Sequence, residues 1–217
     1  MKPILFNTEM VRAILEGRKT VTRRVVKLPS QVAVLQDNGL YTLFAEGTCY
    51  EDQRLEDIAE YCKKPYKVND ILYVRESYMP AGCRMCEVYE CYGSCGCPDY
   101  LYKADFGEND LEEFKEDGYK WKPSIHMPKE AARIFLRVTD VRVERLQNMG
   151  KEDALKEGIN PKLCVNLAHA LSKFKTLWNY TLNKGQQELY SWEANPYVWV
   201  IEFERVDLDS LGGAYER

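Results

Sequence analysis

The segment from Ile134 to Leu146 constrains the fold most, because apolar residues there recur at alternate positions. The apolar residues of this pattern are Ile134, Leu136, Val138, Val141, Val143 and Leu146. The phase shifts near Thr139-Asp140. A period of two is typical of a strand with one buried face, so we expect one long strand with a bulge, or two strands. Tyr197 to Glu204 alternates in the same way after a turn at Asn195-Pro196, and predicts the closing strand.

Shorter elements are predicted along the rest of the chain. Strands are expected at Pro3 to Phe6, on both sides of Asn38-Gly39 between Gln31 and Leu43, at Lys67 to Glu76, and at Tyr100 to Ala104. Helices are expected at Thr8 to Glu16, Glu51 to Cys62, Glu108 to Asp117, Gly150 to Glu157 and Leu167 to Leu182, with a single turn at Lys129 to Arg133. Strands and helices do not alternate regularly, so the pattern favours an α+β domain or a small barrel over a doubly wound sheet.

Composition places limits on the class of protein. The chain has 217 residues and is 45% hydrophobic and 29% charged, which fits one domain with insertions. A net charge of −4 argues against nonspecific coating of nucleic acid, although it permits a local basic pocket. No apolar run approaches the roughly 20 residues of a membrane span, and the start is too quickly polar for a secretory signal. We therefore expect a cytoplasmic protein, with no GxGxxG or P-loop nucleotide site.

One stretch of this acidic chain is strongly basic. Between Gly17 and Gln36 there are five basic residues and no acidic one, namely Arg18, Lys19, Arg23, Arg24 and Lys27. The stretch follows the first predicted helix, which Gly17 is placed to end. Thr20 and Thr22 lie within it, so hydroxyls, an amine and fixed positive charge occur together. It is either a solvated basic loop or a local cationic site.

A second unusual stretch, residues 79–98, is rich in cysteine and reads as an insertion. Five cysteines lie in it: Cys83, Cys86, Cys91, Cys95 and Cys97. Tetrahedral zinc takes four thiolates, and we favour Cys83, Cys86, Cys95 and Cys97, with Cys91 as the alternate. Such a closed site would be structural rather than catalytic. A redox or disulfide role is the alternative, which a cytoplasmic location weakens.

Four motifs in this order resemble the ASCH domain family. They are Gly17 to Arg24 after a helix, Asn69 to Glu76, Ala154 to Gly158 after a strand, and the closing Trp199 to Phe203. The resemblance is greatest to longer members carried by phages and prophages, and it covers nearly the whole chain apart from the insertion. It implies one domain over residues 1–217, a PUA-like small β-barrel with flanking helices, and a cleft for RNA or a nucleobase.

The resemblance also implies a candidate chemistry. Some small bacterial members are amidohydrolases that remove the acetyl group from the 4-amino position of acetylated cytidine. Their lysine, threonine and glutamate match Lys19, Thr22 and Glu157. This chain departs from them in its greater length and in Asn69, where the family usually has glycine; asparagine tolerates a positive φ, so the turn is expected to survive.

These residue types suit hydrolysis of an amide. Thr22 can supply a hydroxyl, and Lys19 can act as a base only if its pKa falls from about 10.4, which burial and neighbouring arginines would favour. Glu157 can accept and return the proton, or hold Lys19 in place. Residues 19 and 22 of an ideal strand face opposite sides, so this hypothesis requires irregular backbone between Gly17 and Thr22.

The alternative is a module that binds RNA or a modified nucleotide without turnover. Substrate or nucleic-acid contacts are predicted for Arg18, Arg23, Arg24, Lys27, Arg75 and Glu76. Tyr73, Tyr78, Trp121 or Trp199 could stack on a base. If neither function holds, Lys19 and Thr22 are an ordinary basic rim and strand threonine, and Glu157 is a surface helix residue. No membrane, no obligate protein partner and no catalytic cofactor are predicted.

Overall fold

The computed structural model describes residues 1–27, 33–35, 41–45, 48–53, 62–81 and 98–207. The chain divides into two compact units, each built from separate stretches. Unit 1 comprises Met1–Gly17, Asp70–Arg137 and Glu204–Arg217, and unit 2 comprises Arg18–Asn69 and Val138–Phe203.

Ten strands lie in the described residues: β1 (Lys2–Leu5), β2 (Val21–Val25), β3 (Ala33–Leu35), β4 (Tyr41–Ala45), β5 (Thr48–Gln53), β6 (Ile71–Arg75), β7 (Tyr78–Pro80), β8 (Tyr100–Tyr102), β9 (Phe135–Arg145) and β10 (Tyr197–Val206). The largest sheet has the order β1-β6-β9-β10-β2, and smaller sheets pair β3-β4-β5 and β7-β8. With β1 and β2 at the ends of its order, the described five-stranded sheet is open. The α+β class is confirmed, and the sheet is not the closed small barrel that was expected.

Five α-helices accompany these strands in the described ranges: α1 (Thr8–Leu15), α2 (Glu108–Glu116), α3 (Asp153–Lys156), α4 (Leu167–Thr181) and α5 (Gln187–Tyr190). Short 3-10 turns occur at Lys103–Asp105, Ser124–His126, Lys129–Ala131, Leu146–Asn148 and Pro161–Leu163. None of the helices described is long and apolar enough to cross a membrane.

In unit 1, β1 runs parallel to β6, and β6 is antiparallel to the first residues of β9. Leu72, Val74 and Leu136 are fully buried in this part of the sheet. The side chain of Asn7 caps α1 by accepting a hydrogen bond from the backbone N–H of Met10. The local sequence signals that predict β1, α1 and β6 are therefore confirmed.

In unit 2, β2 and β10 are antiparallel, and one face of the pair packs on an apolar cluster. The cluster includes Val21, Leu146, Met149, Ala154, Ala170, Phe174, Trp178, Val198 and Val200. Phe174 and Trp178 come from α4, where they lie one turn apart on the buried face. This packing fixes α3 and the start of β2 in the same unit, and those two segments carry the candidate site.

The structure corrects two element predictions. Residues 21–25, expected within a basic loop, form strand β2. The helix expected over Glu51 to Cys62 is wrong at its start, because residues up to Gln53 belong to β5, which pairs with β4; residues 54–61 lie outside those described. The predicted hairpin strands do pair, as β3 with β4, although the Asn38-Gly39 turn itself is not described.

Candidate active site

The backbone that leads into β2 is irregular from Gly17 to Thr20. Gly17 has a φ of +72°, which ends the first helix in a left-handed conformation. The N–H of Thr20 donates to the carbonyl of Lys156 at 2.9 Å, while the Thr20 carbonyl accepts from Phe203 N–H at 2.9 Å. An isolated antiparallel bridge also joins Lys19 to Glu157. This stretch is thus held against the end of α3 before regular strand pairing begins.

Lys19 and Glu157 form a buried ion pair. Lys19 is 2% exposed and Glu157 is 5% exposed. Nζ of Lys19 lies 2.8 Å from Glu157 Oε2, 2.8 Å from the Glu157 carbonyl oxygen and 2.8 Å from the Val21 carbonyl oxygen. Three acceptors match the three donors of an ammonium group. The arrangement therefore describes Lys19 in its charged form, fully hydrogen-bonded.

The lysine amine lies at the outer edge of β2. Val26 N–H donates to the Tyr197 carbonyl, and the Thr20 carbonyl accepts from Phe203, so the even-numbered residues bond to β10. In an antiparallel pair, only alternate residues bond to the partner strand. The odd-numbered residues of β2 therefore direct their N–H and C=O groups away from β10. The carbonyl of Val21 therefore faces the free edge of this end strand, where the amine of Lys19 bonds to it.

A second cation shares the carboxylate of Glu157. Arg23 is 3% exposed, and its Nη1 lies 3.1 Å from Glu157 Oε1. Its Nη2 lies 3.5 Å from Asp153 Oδ2 and 4.0 Å from Glu144 Oε2. Nε of Arg23 is buried and has no hydrogen-bond partner within the described ranges. Glu157 thus receives one hydrogen bond on each carboxylate oxygen, from two different cations.

Burial and neighbouring charges act on the lysine in opposite directions. Loss of solvation lowers the pKa of Lys19, and this effect outweighs the attraction and hydrogen bond of Glu157, which raise it. The like charges of Arg24 and Arg23 lower the pKa of Lys19 further. Desolvation also lowers the pKa of Arg24, against the raising effects of Glu157 and Tyr66.

Thr22, the third predicted catalytic residue, is not joined to the other two by a hydrogen bond in the described part of the chain. It is 1% exposed and pairs with Ile201 of β10. Alternation along β2 turns its side chain to the opposite face from that of Arg23. The backbone nitrogen of Thr22 is joined to the carbonyl group of Val21, and the oxygen of that carbonyl accepts a hydrogen bond from Lys19 Nζ. The structure therefore brings together Lys19 and Glu157 and places Thr22 at the adjoining peptide bond.

The predicted substrate contacts in unit 2 differ in exposure. Arg18 donates to the carbonyl of Gly158, and Arg24 is half-buried. Lys27 is exposed. Arg23 is buried in the ion-pair network described above, so it lies among protein carboxylates rather than at a surface.

Arg75 and Glu76 belong to unit 1, where both bond to nearby residues. Arg75 donates to the carbonyls of Met127 (2.9 Å) and Ile125. Both oxygens of Glu76 accept from Arg133, at 2.9 and 3.1 Å, and burial raises the pKa of Glu76 despite that pairing. These contacts anchor the segment that precedes β9.

Two of the four aromatic residues considered for base stacking lie in the core. Tyr78 and Trp199 are buried, so their ring faces contact protein. Trp121 is half-buried and lies against Phe106 and Phe114. Stacking by Tyr78 or Trp199 therefore finds no support in the geometry.

The five cysteines of the predicted zinc site lie outside the described residues. In the part of the chain that is described, no group of His, Cys, Asp and Glu side chains is arranged to hold a metal ion. Of the remaining cysteines, Cys62 is buried, Cys164 is half-buried and Cys49 is exposed.

Sequence reasoning missed two acidic members of the network, Asp153 and Glu144. Asp153 precedes Glu157 by one helical turn, so a search for carboxylates on the same helix face would have found it. Glu144 comes from β9 and has no such local signal, because only the sheet brings it near Arg23.

Comparisons with known proteins add little. No family model matches the chain, and no curated protein matches it. Among solved structures, one match is a crystal structure of an Enterococcus faecalis V583 protein of family DUF984. The two share 11% identity over 95% of this chain and 74% of the other, with a TM-score of 0.39.

Proposed function

We propose that this chain is an ASCH-type, PUA-like protein that hydrolyses an acylated amino group at the 4-position of cytidine or a related modified base. The observation that carries the proposal is the buried Lys19–Glu157 pair, 2.8 Å apart, at the peptide bond leading into Thr22. A buried amine with a lowered pKa in contact with a carboxylate is suited to proton transfer.

The first step in this proposal makes the lysine neutral. Lys19 Nζ releases a proton to solvent, which leaves a neutral amine held beside the Glu157 carboxylate. Burial favours this outcome, because an interior of low polarity disfavours the charged ammonium of Lys19. The positive charges of Arg23 and Arg24 also favour loss of the lysine proton.

The neutral amine then takes a proton from the attacking hydroxyl of Thr22, a contact that substrate binding must create because the Thr22 side chain faces the opposite side of β2 from Arg23. The oxygen of Thr22 bonds to the acyl carbon, and the carbonyl electron pair moves onto the carbonyl oxygen. When that pair returns, the bond to the 4-amino nitrogen breaks, and the nitrogen receives the proton held by Lys19. Water hydrolyses the resulting threonine ester in a second, equivalent step, releasing the carboxylic acid and restoring Thr22.

The test is acetate release from cytidine acetylated at its 4-amino group, followed by proton NMR. We expect the wild type to form acetate and cytidine in equal amounts. Lys19→Ala, Thr22→Ala and Glu157→Gln should each lower the rate by at least about 100-fold, as expected for loss of an acid–base or nucleophilic group.

Matched controls separate chemistry from general damage. Lys162→Ala and Glu152→Gln change exposed residues of the same unit and should retain the wild-type rate. Acetate release that is equal in the wild type and in Lys19→Ala would overturn the proposal, provided that both proteins are folded by circular dichroism.

A second candidate is binding without turnover, and one observation favours it. The three hydrogen bonds of Lys19 satisfy every donor of its ammonium group, as a purely structural lysine would require. Arg18, Arg24 and Lys27 would then contact phosphates. Micromolar binding of RNA by a wild type that releases no acetate would select this candidate.

A further inference from the structure

We infer that Arg23 is a positioning residue: by holding one oxygen of Glu157, it weakens the hold of Glu157 on the proton of Lys19. This assigns Arg23 to the interior of the site rather than to substrate contact. The inference deepens the proposed function, on which its kinetic readout rests, whereas its titration readout is independent of any activity.

The geometry of the carboxylate supports this role. Oε2 of Glu157 accepts from Lys19 at 2.8 Å and Oε1 accepts from Arg23 at 3.1 Å, so the two cations share one negative charge. A guanidinium keeps its proton at all working pH values, whereas an amine can lose one. When two cations compete for one buried carboxylate, the amine is therefore the group that gives up its charge.

The surroundings of Arg23 fix its position. Asp153 at the start of α3 and Glu144 on β9 both lie within 4.0 Å of its Nη2. Within the described residues, the charged groups around Lys19 and its partners are Glu157, Arg23, Arg24, Asp153 and Glu144. Lys156 lies 3.8 Å from Asp153, Arg142 lies 2.5 Å from Glu144, and Tyr66 acts on Arg24. Arg23 and Arg24 disfavour the ammonium of Lys19, while Glu157 favours it.

The unpaired Nε of Arg23 is also relevant. A buried donor without a partner is unfavourable relative to a satisfied one. Arg23 therefore stabilises the fold less than a fully paired arginine would. The contact of Arg23 with Glu157 explains the presence of a buried arginine at position 23 better than a contribution to fold stability does.

Removing the charge of Asp153 should shift the titration midpoint of Lys19 in the opposite direction to removing the charge of Arg23. The Asp153 carboxylate offsets part of the charge of Arg23, so removing that carboxylate charge strengthens the effect of Arg23 on Glu157 and Lys19. Asp153→Asn is a mild change, because Asp153 Oδ2 also accepts from Gly150 N–H at 2.9 Å, and an asparagine oxygen can keep that capping bond.

The experiment is an NMR titration of the Lys19 side chain in the full-length protein, with lysine labelled at the ε-position and the signal assigned by Lys19→Met. Arg23→Gln should raise the titration midpoint by about one pH unit, the scale expected for loss of a neighbouring like charge. Asp153→Asn should lower the midpoint. Arg23→Lys should stay near wild type, and the exposed Arg205→Gln should leave it unchanged.

Each outcome of the titration either supports or overturns the inference about Arg23. A midpoint that stays or falls in folded Arg23→Gln overturns the inference, and so does one that stays or rises in Asp153→Asn. If Arg23→Gln does not fold, Asp153→Asn and Arg23→Lys carry the test. If the midpoints move as expected but no variant or wild type releases acetate, the inference stands and the proposed hydrolase fails. Where acetate is released, the acid limb of kcat/KM against pH should move with the midpoint.

Discussion

At the scale of single residues, the decisive feature is a lysine that is buried, charged and fully hydrogen-bonded. Desolvation of an ion in a protein interior is unfavourable by several kcal/mol, and good geometry must offset it. Here three acceptors at 2.8 Å and the charge of Glu157 offset part of that cost, and desolvation still outweighs the attraction of Glu157. Removing one member of the pair should therefore lower the free energy of unfolding more than replacing both members does.

Removing only the lysine should destabilise the fold. Lys19→Met leaves Glu157 without the hydrogen bond to its Oε2 and leaves the Val21 carbonyl without the bond from Lys19, so we expect a loss of about 3 kcal/mol in the free energy of unfolding. Adding Glu157→Gln should restore part of that loss. Urea unfolding of the single and double variants measures both values, and a loss below about 1 kcal/mol in Lys19→Met would contradict the description of the pair.

The same lysine predicts how stability depends on pH. Its pKa in the folded chain is lowered from 10.5, so between the folded pKa and 10.5 the unfolded chain binds more protons. The contribution of Lys19 to the free energy of unfolding therefore rises with pH in that window. We expect the stability difference between wild type and Lys19→Met to grow from neutral pH toward 10; a difference that shrinks would contradict the lowered pKa.

At the scale of elements, the elements with strong local signals could be predicted, and those that depend on distant partners could not. Asn7 and Gly17 mark the two ends of α1 in the sequence, and the alternation after Asn69 marks β6. Strand β2 was missed because its arginines resemble a solvated loop. Arg23 is buried only because α3 and β9 supply carboxylates from far along the chain.

Asn69 provides a test at this scale. Its φ is +68°, a left-handed conformation that glycine adopts readily and asparagine tolerates. Asn69→Gly should raise the free energy of unfolding by up to about 1 kcal/mol, while Asn69→Val should lower it by about 1–2 kcal/mol, because a branched side chain resists a positive φ. Thermal unfolding of the two variants measures the effect, and the opposite order would show that the turn is not as described.

At the scale of the whole molecule, the order of the sheet was beyond the sequence. Strands β2 and β10 come from opposite ends of the chain, and β1 pairs in parallel with β6. Local periodicity specifies the strands but not their neighbours, since the period of two is the same for any partner. The class could be predicted because helices and strands do not alternate; the open sheet and its order could not.

The cysteine-rich insertion supplies a prediction for the intact protein. We propose that Cys83, Cys86, Cys95 and Cys97 bind one structural zinc, with Cys91 as the alternate ligand. Protein purified without chelator should contain about one zinc per chain, and Cys83→Ser with Cys86→Ser should lose it, whereas Cys49→Ser should not. Metal analysis giving less than about half a zinc per chain would contradict the site.

The central claim is that the buried Lys19–Glu157 pair performs hydrolysis of an acylated base. The most direct measurement is acetate released from 4-acetylated cytidine by wild type and by Glu157→Gln, at equal concentrations of folded protein. We expect turnover by the wild type and a rate at least about 100-fold lower in the variant. Equal rates, or no acetate from the wild type, would contradict it.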